Sequence, residues 1–422
     1  MGTTEKEFKR KAGLLLIFLC WLVYACSYMG KVNYAANINQ IMSFYAVDHS
    51  SAGLVSTFFF FAYGIGQVVN GLLCKKYNVK WFIFGSLIVS GTVNFIVGFT
   101  TNFTLIKFLW LLNGFSMSVL WPCLIRLLAE TLNKKDMAKA SVIMGTTVAT
   151  GTLFVYALSA LFVKINFKMS FYLPAGIFFV VALVWICSCS SLINKAKNER
   201  ETEEIQERTV GENKKLENTT GLLLTIVMLA FYGVATNLIK DGLTTWVPSI
   251  LKEEYQLDSS ISIILTLALP IVAIFANAFA VRMHNKIKDF VLQCATMFLC
   301  AGIIIGCVIG GTSLNLFWIT LLGFTLVCFL VSSCNSVITS IFPLFMRGKI
   351  NSGKIAGALN GFCYLGSTIS SYGLGAIAEH FGWIAVFWVL LGVCVLVCFG
   401  AIIYLMTTRV AHGKKNLERR SI

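Results

Sequence analysis

The chain has 422 residues, of which 57% are hydrophobic and 13% are charged. Soluble proteins have about 45–50% apolar and roughly 25% charged residues, and a single core cannot hide this much apolar surface. The composition therefore excludes a soluble globular protein, and the net charge of +15 has to be explained by where the basic residues lie.

Apolar runs recur along the chain that are long enough to cross the hydrocarbon of a bilayer, about 20 residues each. They predict an all-α integral membrane protein with twelve transmembrane helices. We expect these helices at 12–41, 51–73, 81–100, 103–128, 140–163, 170–193, 219–250, 260–283, 290–310, 314–343, 354–378 and 383–407.

A polar segment follows the sixth predicted helix, and its composition cannot bury enough apolar area to order itself. It separates two halves of six helices each. The predicted domains are an N-terminal six-helix bundle at 1–193, a charged cytoplasmic linker at 194–217, a C-terminal six-helix bundle at 218–408 and a basic cytoplasmic tail at 409–422.

The basic residues concentrate on one side of the predicted membrane. That side carries 28 of the 34 lysine and arginine residues, and such an excess marks the cytoplasmic side. Both termini and the linker are therefore expected in the cytoplasm. The positive charge reflects topology and contact with anionic lipid, so we expect a lipid bilayer as partner and no nucleic acid.

Two lysines lie inside predicted helices, each in the first helix of its half. Lys31 follows the start of its helix by 19 positions and Lys240 by 21. An ammonium group in the bilayer costs about 2.5–3.5 kcal/mol on insertion scales, so it usually faces a cavity or a partner. The alternative is that each lysine extends to the membrane interface. The matched positions favour a shared site for a small-molecule anion.

Asp241 is the only acidic residue in the sequence that lies well inside a predicted helix. A proton relay needs titratable groups in the membrane, and their scarcity favours anion exchange or a proton carried by the substrate. Asp241 is still a candidate coupling residue. The sequence contains no P-loop, catalytic triad or metal-ligand motif, so we expect no enzyme activity, no cofactor and no metal.

The fifth helices of the two halves share the spacing of a lysine and a glycine. Lys139 precedes Gly151 by 12 positions, and Lys354 precedes Gly366 by 12. Glycine in membrane helices allows close helix packing, which is the role we expect here. The shared spacing is typical of transporters built from duplicated halves.

Several stretches carry a resemblance to a known family. They are YMGK in the first helix, AYGIGQ in the second, WPCLIR in the fourth, IKDGLTTWVPSILKE in the seventh, and GALNGFCYLGS with HFGW in the last two. With its two halves around a charged linker, the chain resembles the major facilitator superfamily and, within it, the organophosphate:phosphate antiporter family. The resemblance implies two pseudo-symmetric six-helix bundles with a substrate site near the membrane midplane between them.

In that family an arginine in helix one and another in helix seven bind the substrate phosphate. Lys31 and Lys240 stand at those positions, while the family's helix-two lysine falls on Gln67 and its helix-five histidine on Val148. The candidate substrate-binding residues are Lys31, Lys240, Tyr28, Tyr63, Gln67, Asn237 and Tyr364, with Asp241 as the candidate for coupling.

Lysine lacks the bidentate fork of arginine, so a carboxylate substrate stays open beside a phosphate. Lys75 and Val281 also replace acidic residues of the superfamily's loop signatures. The predicted function is secondary active transport of a small organic anion, as phosphate ester or inorganic phosphate exchange. The alternatives are a sugar-acid symporter, a non-transporting anion sensor and a drug efflux carrier. We expect a monomer in the plasma membrane.

Overall fold

The computed structural model describes residues 2–73, 78–132, 134–204, 219–346 and 352–418. Within these ranges the chain forms helices and no strand. The α-helices are α1 (Gly2–Ala36), α2 (Ile38–Tyr45), α3 (His49–Leu73), α4 (Val79–Phe99), α5 (Phe103–Met117), α6 (Leu120–Thr131), α7 (Lys134–Gly145), α8 (Thr147–Asn166), α9 (Met169–Glu204), α10 (Thr219–Glu254), α11 (Ser259–Thr266), α12 (Ala268–Ala273), α13 (Ala276–Lys286), α14 (Phe290–Ser313), α15 (Phe317–Ser336), α16 (Phe342–Phe345) and α17 (Ser352–Glu418). A π-helical turn, Val337–Ile341, joins α15 to α16.

Eleven helical stretches of the described chain are long and apolar enough to cross a membrane. The last, Ile355–Thr408, has 54 residues, which at about 1.5 Å per residue far exceeds the roughly 30 Å of hydrocarbon. Gly382 breaks its helical geometry with φ 77° and ψ 171°, a conformation open to glycine. We therefore count two crossings there, and the twelve predicted helices are confirmed.

Polar residues at the ends of the apolar runs set where helices begin. The Asn102 side chain accepts a hydrogen bond from the backbone N–H of Leu105 at the start of α5. The Asp289 carboxylate accepts from the backbone N–H groups of Val291 and Leu292 at the start of α14. These caps satisfy donors that the helix itself leaves unpaired, so they fix the starts of two spans.

Large apolar side chains cover the outer surface of the fold. Phe99, Ile165, Trp318 and Phe381 are 76%, 80%, 73% and 76% exposed, respectively. Contiguous apolar surface of this kind marks contact with another apolar phase, and spans of this length identify that phase as lipid. The protein is therefore a multi-pass membrane protein.

The fold contains two compact units. The first is Met1–Glu212 with Thr244–Ile274, and the second is Asn213–Leu243 with Phe275–Ile422. In the first unit α1 packs against α8 and α9, and α3 packs against α5. In the second unit α14 packs against α15 and α17. The units divide the chain at other points than the predicted bundles 1–193 and 218–408, and that two-bundle division stays a prediction.

The predicted linker and tail are helical where the structure describes them. Helix α9 continues to Glu204, which includes the beginning of the predicted linker 194–217. Helix α17 continues to Glu418, within the predicted tail 409–422. The rest of the linker, the end of the tail and Lys75 lie outside the described residues.

Two glycines bring the first helix of each half against a partner helix. A Cβ atom at Gly151 on α8 would overlap the carbonyl oxygen of Ala25 on α1, and one at Gly366 on α17 would overlap the carbonyl oxygen of Val234 on α10. Only glycine permits backbones to approach this closely. The contacts agree with the packing expected from the glycines and repeat it in both halves.

Candidate functional site

Lys31 lies on α1, inside the first membrane span, and is surrounded by aromatic rings. Its Nζ atom lies 4.7 Å from the ring centroid of Tyr63 and 4.9 Å from that of Tyr28. The ring centroids of Phe60 and Phe59 lie 5.5 and 5.9 Å away. We call these four rings the aromatic cage. Ring faces attract a cation through their quadrupole, so the four rings stabilise the ammonium group inside the span.

Two helices build the aromatic cage. Tyr28 precedes Lys31 by one turn on α1, and its ring meets that of Tyr24 edge-on with centroids 5.6 Å apart. The other rings come from α3, where Phe59 and Tyr63 are four positions apart and stack with centroids 5.7 Å apart. Residues at this spacing share a helix face. The structure therefore places the predicted Tyr28 and Tyr63 around Lys31.

Gln67 follows Tyr63 by one turn on α3 and lies on the same face of the helix. Its side chain is buried, at 3% exposure. It presents an amide where the resemblance places a lysine, so it adds polarity without charge. Val148, at the position of the family's histidine, is 41% exposed on α8. Neither position contributes a positive charge to the first unit.

Two asparagines, one in α1 and one directly after its last residue, anchor the helix. Asn33 donates from Nδ2 to Asn94 Oδ1 at 2.8 Å and to the carbonyl oxygen of Ser170 at 3.0 Å. Asn37 donates from Nδ2 to Ser159 Oγ at 2.9 Å. Buried amides need such partners. These bonds tie α1 and the residue that follows it to α4, α8 and α9.

Lys240 lies on α10 and forms an ion pair with its neighbour in the chain. Its Nζ atom lies 3.4 Å from Asp241 Oδ1, and the two side chains are 26% and 15% exposed. Consecutive residues on a helix do not face each other, so this pair could not be predicted from helical spacing; the flexible lysine stem makes it possible. The carboxylate offsets the charge of Lys240, in contrast to the rings around Lys31.

Asp241 ends a chain of hydrogen bonds from three helices. Its Oδ2 atom accepts from Ser367 Oγ on α17 at 2.5 Å. Ser367 Oγ accepts from Asn237 Nδ2 on α10 at 3.1 Å, and Asn237 Oδ1 accepts from Asn335 Nδ2 on α15 at 2.7 Å. We call these four residues, together with Lys240, the carboxylate network. The Ser367 hydroxyl also lies 3.4 Å from the carbonyl oxygen of Cys363, a second acceptor.

Tyr364 precedes Ser367 by three positions on α17, so the two residues share a face of that helix. Its side chain is buried, at 7% exposure. In the first unit the structure thus brings Tyr28 and Tyr63 together around Lys31. Gln67 lies one turn from Tyr63 on the same face of α3. In the second unit the structure groups Lys240, Asp241 and Asn237, with Tyr364 one turn from the network.

Four residues of these groups were not predicted from the sequence: Phe59, Phe60, Ser367 and Asn335. Phenylalanine and serine are common in membrane helices, so the first three carry no individual signal. Asn335 does carry one, because an amide in an apolar helix is costly unless it is hydrogen-bonded. A search for amides inside the predicted helices would have found it.

A family model described as Major Facilitator Superfamily matches residues 20–371 of the chain. Among curated proteins, the chain is 28% identical to the membrane sensor protein UhpC of Escherichia coli (strain K12) over 121 residues, 29% of this chain and 28% of that protein. It is 22% identical to a probable hexose phosphate transport protein of Chlamydia pneumoniae over 29% of this chain and 27% of that protein. It is also 22% identical to sugar phosphate exchanger 3 of Bos taurus over 31% of this chain and 28% of that protein. The chain thus matches less than a third of the length of these relatives.

Solved structures extend the likeness to nearly the whole chain. A bacterial homolog of the human lysosomal transporter Spinster, inward-facing and occupied, has a TM-score of 0.71 at 13% identity and covers 94% of this chain and 96% of its own. The nucleoside transporter NupG has a TM-score of 0.66 at 13% identity and covers 93% of this chain and 99% of its own. At such identities the likeness concerns the fold alone.

Proposed function

Because the chain belongs to the Major Facilitator Superfamily, we propose that it is a secondary active transporter that moves a small organic anion across the membrane by alternating access. The observation that carries this proposal is the position of Lys31. Its ammonium group lies inside a membrane span, among the rings of the aromatic cage. A charge kept in the membrane at this cost marks a functional site.

The aromatic cage suits an anion with an organic body. Lys31 supplies the charge, and the hydroxyl groups of Tyr28 and Tyr63 are hydrogen-bond donors. The ring faces offer an apolar surface for the carbon skeleton of a sugar. Inorganic phosphate has no such skeleton, so this geometry favours a substrate that carries both parts.

The relatives favour a phosphorylated substrate, because two of them are described as hexose phosphate or sugar phosphate carriers. We therefore propose exchange of a phosphate ester or inorganic phosphate. The alternative is symport of a sugar acid. It is supported by Lys31 and Lys240, which stand where the organophosphate:phosphate antiporter family has arginines. Lysine binds as a point charge and does not need the two oxygens that a guanidinium fork selects.

We also propose that Lys240 takes part in binding, with Gln67, Asn237 and Tyr364 as orienting groups. The Lys240 ion pair with Asp241 has to open before that ammonium group can serve an anion. One anion that contacts both Lys31 and Lys240 stays a prediction. A double-mutant cycle tests it, because only residues that share a ligand give a coupling energy in anion binding.

Uptake into proteoliposomes tests transport itself. Purified protein is reconstituted with phosphate inside, and entry of labelled glucose 6-phosphate and gluconate is followed. The Lys31→Gln variant should lose uptake. Lys168→Gln is the matched control, because Lys168 also lies over a ring, that of Phe44 at 4.5 Å, but outside the proposed site. Equal uptake by both variants would contradict the role of Lys31.

A sensor that binds an anion without moving it is the second candidate, because the chain shares 28% identity with a membrane sensor protein over 121 residues. Binding and flux separate the two functions. A transporter binds the anion and carries it, whereas a sensor stabilises on binding and shows no uptake in the same preparation.

We further propose a monomer in the plasma membrane with both termini in the cytoplasm. The orientation rests on the distribution of basic residues along the chain. Labelling of a cysteine introduced in the linker, by an impermeant reagent on intact cells, tests the orientation. The reagent should react only after the cells are opened.

A further inference from the structure

An arginine lies inside the fourth membrane span, apart from the aromatic cage and the carboxylate network. The sequence predicts the end of this helix at 128, but the structure continues the span Phe103–Thr131 beyond that point. Arg126 on α6 is therefore five positions, or about 8 Å, inside the predicted cytoplasmic end. A charged side chain within a span faces water or a partner, so the surroundings of this guanidinium group indicate what it does.

Arg126 is paired and only partly buried. Its Nε atom donates to Glu130 Oε1 at 2.6 Å, one helical turn away, and the two side chains are 23% and 50% exposed. Pro122 and Ala129, one turn from Arg126 in either direction, are also accessible. Inside a span, an ion pair with this exposure faces a water-filled cavity rather than lipid. This face of α6 therefore lines an aqueous opening at the predicted cytoplasmic end.

Ring contacts connect α6 to the aromatic cage. Trp121, five positions before Arg126, packs on Tyr24 with centroids 4.7 Å apart, and Tyr24 meets Tyr28 of the cage at 5.6 Å. Successive spans alternate in direction, so α6 runs opposite to α1. Seven residues of α1 and five of α6 then separate Lys31 from Arg126 by roughly 18 Å along the helix axes. A hexose phosphate is too short to contact both cations at once.

We propose that Arg126 forms a second, weaker anion site, at which the substrate stops between the cytoplasm and Lys31. This inference rests on the proposed function and adds a step to the path of its substrate. The guanidinium fork binds two oxygens of a phosphate or a carboxylate. Glu130 competes with the anion for the same guanidinium group, which keeps the site weak enough for the anion to move on.

A site on the path, rather than in the final complex, changes rates without changing affinity. Clefts of one charge raise association rates by about 10- to 1,000-fold, and salt weakens the effect. Arg126→Gln should therefore lower the association and dissociation rate constants of the anion together, by about tenfold each, the lower end of that range. The Kd of the complex at Lys31 should stay the same.

Stopped-flow tryptophan fluorescence of purified protein mixed with glucose 6-phosphate or gluconate measures these rates. The wild-type observed rate should level off as the anion concentration rises, because Arg126 becomes saturated, and added salt should lower it. In Arg126→Gln the rate should stay low, rise linearly and lose most of its salt dependence. Arg126→Lys keeps the charge but not the fork and should restore part of the rate. Glu130→Gln removes the competing carboxylate and should raise the association rate.

Lys139→Gln is the matched control. Lys139 lies on α7, at the predicted cytoplasmic start of the fifth helix, and pairs with Asp136 at 2.7 Å with 40% of its side chain exposed. The substitution removes the same charge from the same side of the membrane but leaves Arg126 in place, so both rate constants should keep their wild-type values. An equal decrease in both variants would reduce the effect to overall surface charge and overturn the inference.

The outcomes separate this inference from the proposed function. Unchanged rate constants in Arg126→Gln, or a loss of affinity without a slower association, would overturn the inference and leave the transporter intact. Wild-type protein that neither binds nor carries these anions would overturn the proposed function, and the inference with it. Thermal unfolding checks that each variant is folded.

Discussion

The two membrane lysines have opposite surroundings although they stand at matching places in the two halves. Lys31 is enclosed by four aromatic rings, the nearest centroid at 4.7 Å from its Nζ atom. Lys240 lies 3.4 Å from Asp241 Oδ1, and the other oxygen of that carboxylate accepts a hydrogen bond from Ser367. Ring faces attract a cation through their quadrupole, whereas a carboxylate offsets its charge.

This difference indicates a division of labour. We propose that Lys31 binds the anion among the rings of the aromatic cage, while Lys240 has to leave its ion pair with Asp241 first. At 4 Å and an effective dielectric constant of about 20, a pair of unit charges is worth roughly 4 kcal/mol before desolvation. Competition of that size can make anion binding in the second unit depend on whether the ion pair between Lys240 and Asp241 is open.

Removal of the two charges should have unequal effects, and this is the largest effect we expect. A hydrogen bond to a charged group contributes about 1.5–3 kcal/mol, so Lys31→Gln should lower kcat/KM of uptake by roughly 10- to 100-fold. Lys240→Gln should cost less, because opening its ion pair with Asp241 offsets part of what that ammonium group gains from an anion. Equal losses would remove the distinction between the lysines. Lys31→Arg should retain part of the activity, since a guanidinium also stacks on rings.

The glycine contacts should matter equally in both halves. Gly151→Ala and Gly366→Ala place a methyl group against a backbone carbonyl oxygen, and such overpacking costs about 1–3 kcal/mol. Gly145→Ala and Gly357→Ala are the controls, because a Cβ atom at either position meets nothing within 4 Å. Thermal unfolding in detergent should show the loss for the first pair alone. Stable variants of that pair would contradict the close packing.

The aromatic cage should respond to loss of a ring more than to loss of a hydroxyl group. Tyr63→Leu removes a cation–π contact worth about 0.5–2 kcal/mol, so it should lower stability, measured by thermal unfolding without ligand. Tyr63→Phe keeps the ring and should change the KM of uptake more than the stability. The same loss of stability in both variants would mean that the hydroxyl group, rather than the ring face, holds Lys31.

Much of the fold could be predicted from the sequence, because membrane spans need long apolar runs. The two lysines could also be identified from the sequence, since a charged residue inside such an apolar run is rare. Their surroundings could not. Phe59 approaches Lys31 from α3, and Ser367 approaches Asp241 from α17. A local sequence pattern does not indicate which face of one helix packs against another helix.

The pairing of Lys240 with Asp241 illustrates a second limit. Neighbouring helical residues point in different directions, so backbone geometry does not require this ion pair. The pair forms because the long lysine side chain can bend back, and because Ser367 fixes the carboxylate. Side-chain rotamers and bonds between distant segments decided the outcome, and the sequence specifies neither directly.

Anion binding by Lys31 is the central claim, and a thermal-shift titration tests it most directly. Purified protein is unfolded with increasing glucose 6-phosphate, gluconate and phosphate, and the Lys31→Gln variant is treated in parallel. An anion present at 100 times its Kd should stabilise the wild-type protein by about 2.7 kcal/mol and leave the variant unchanged. Equal stabilisation of both proteins would show that the anion binds elsewhere and would contradict the account.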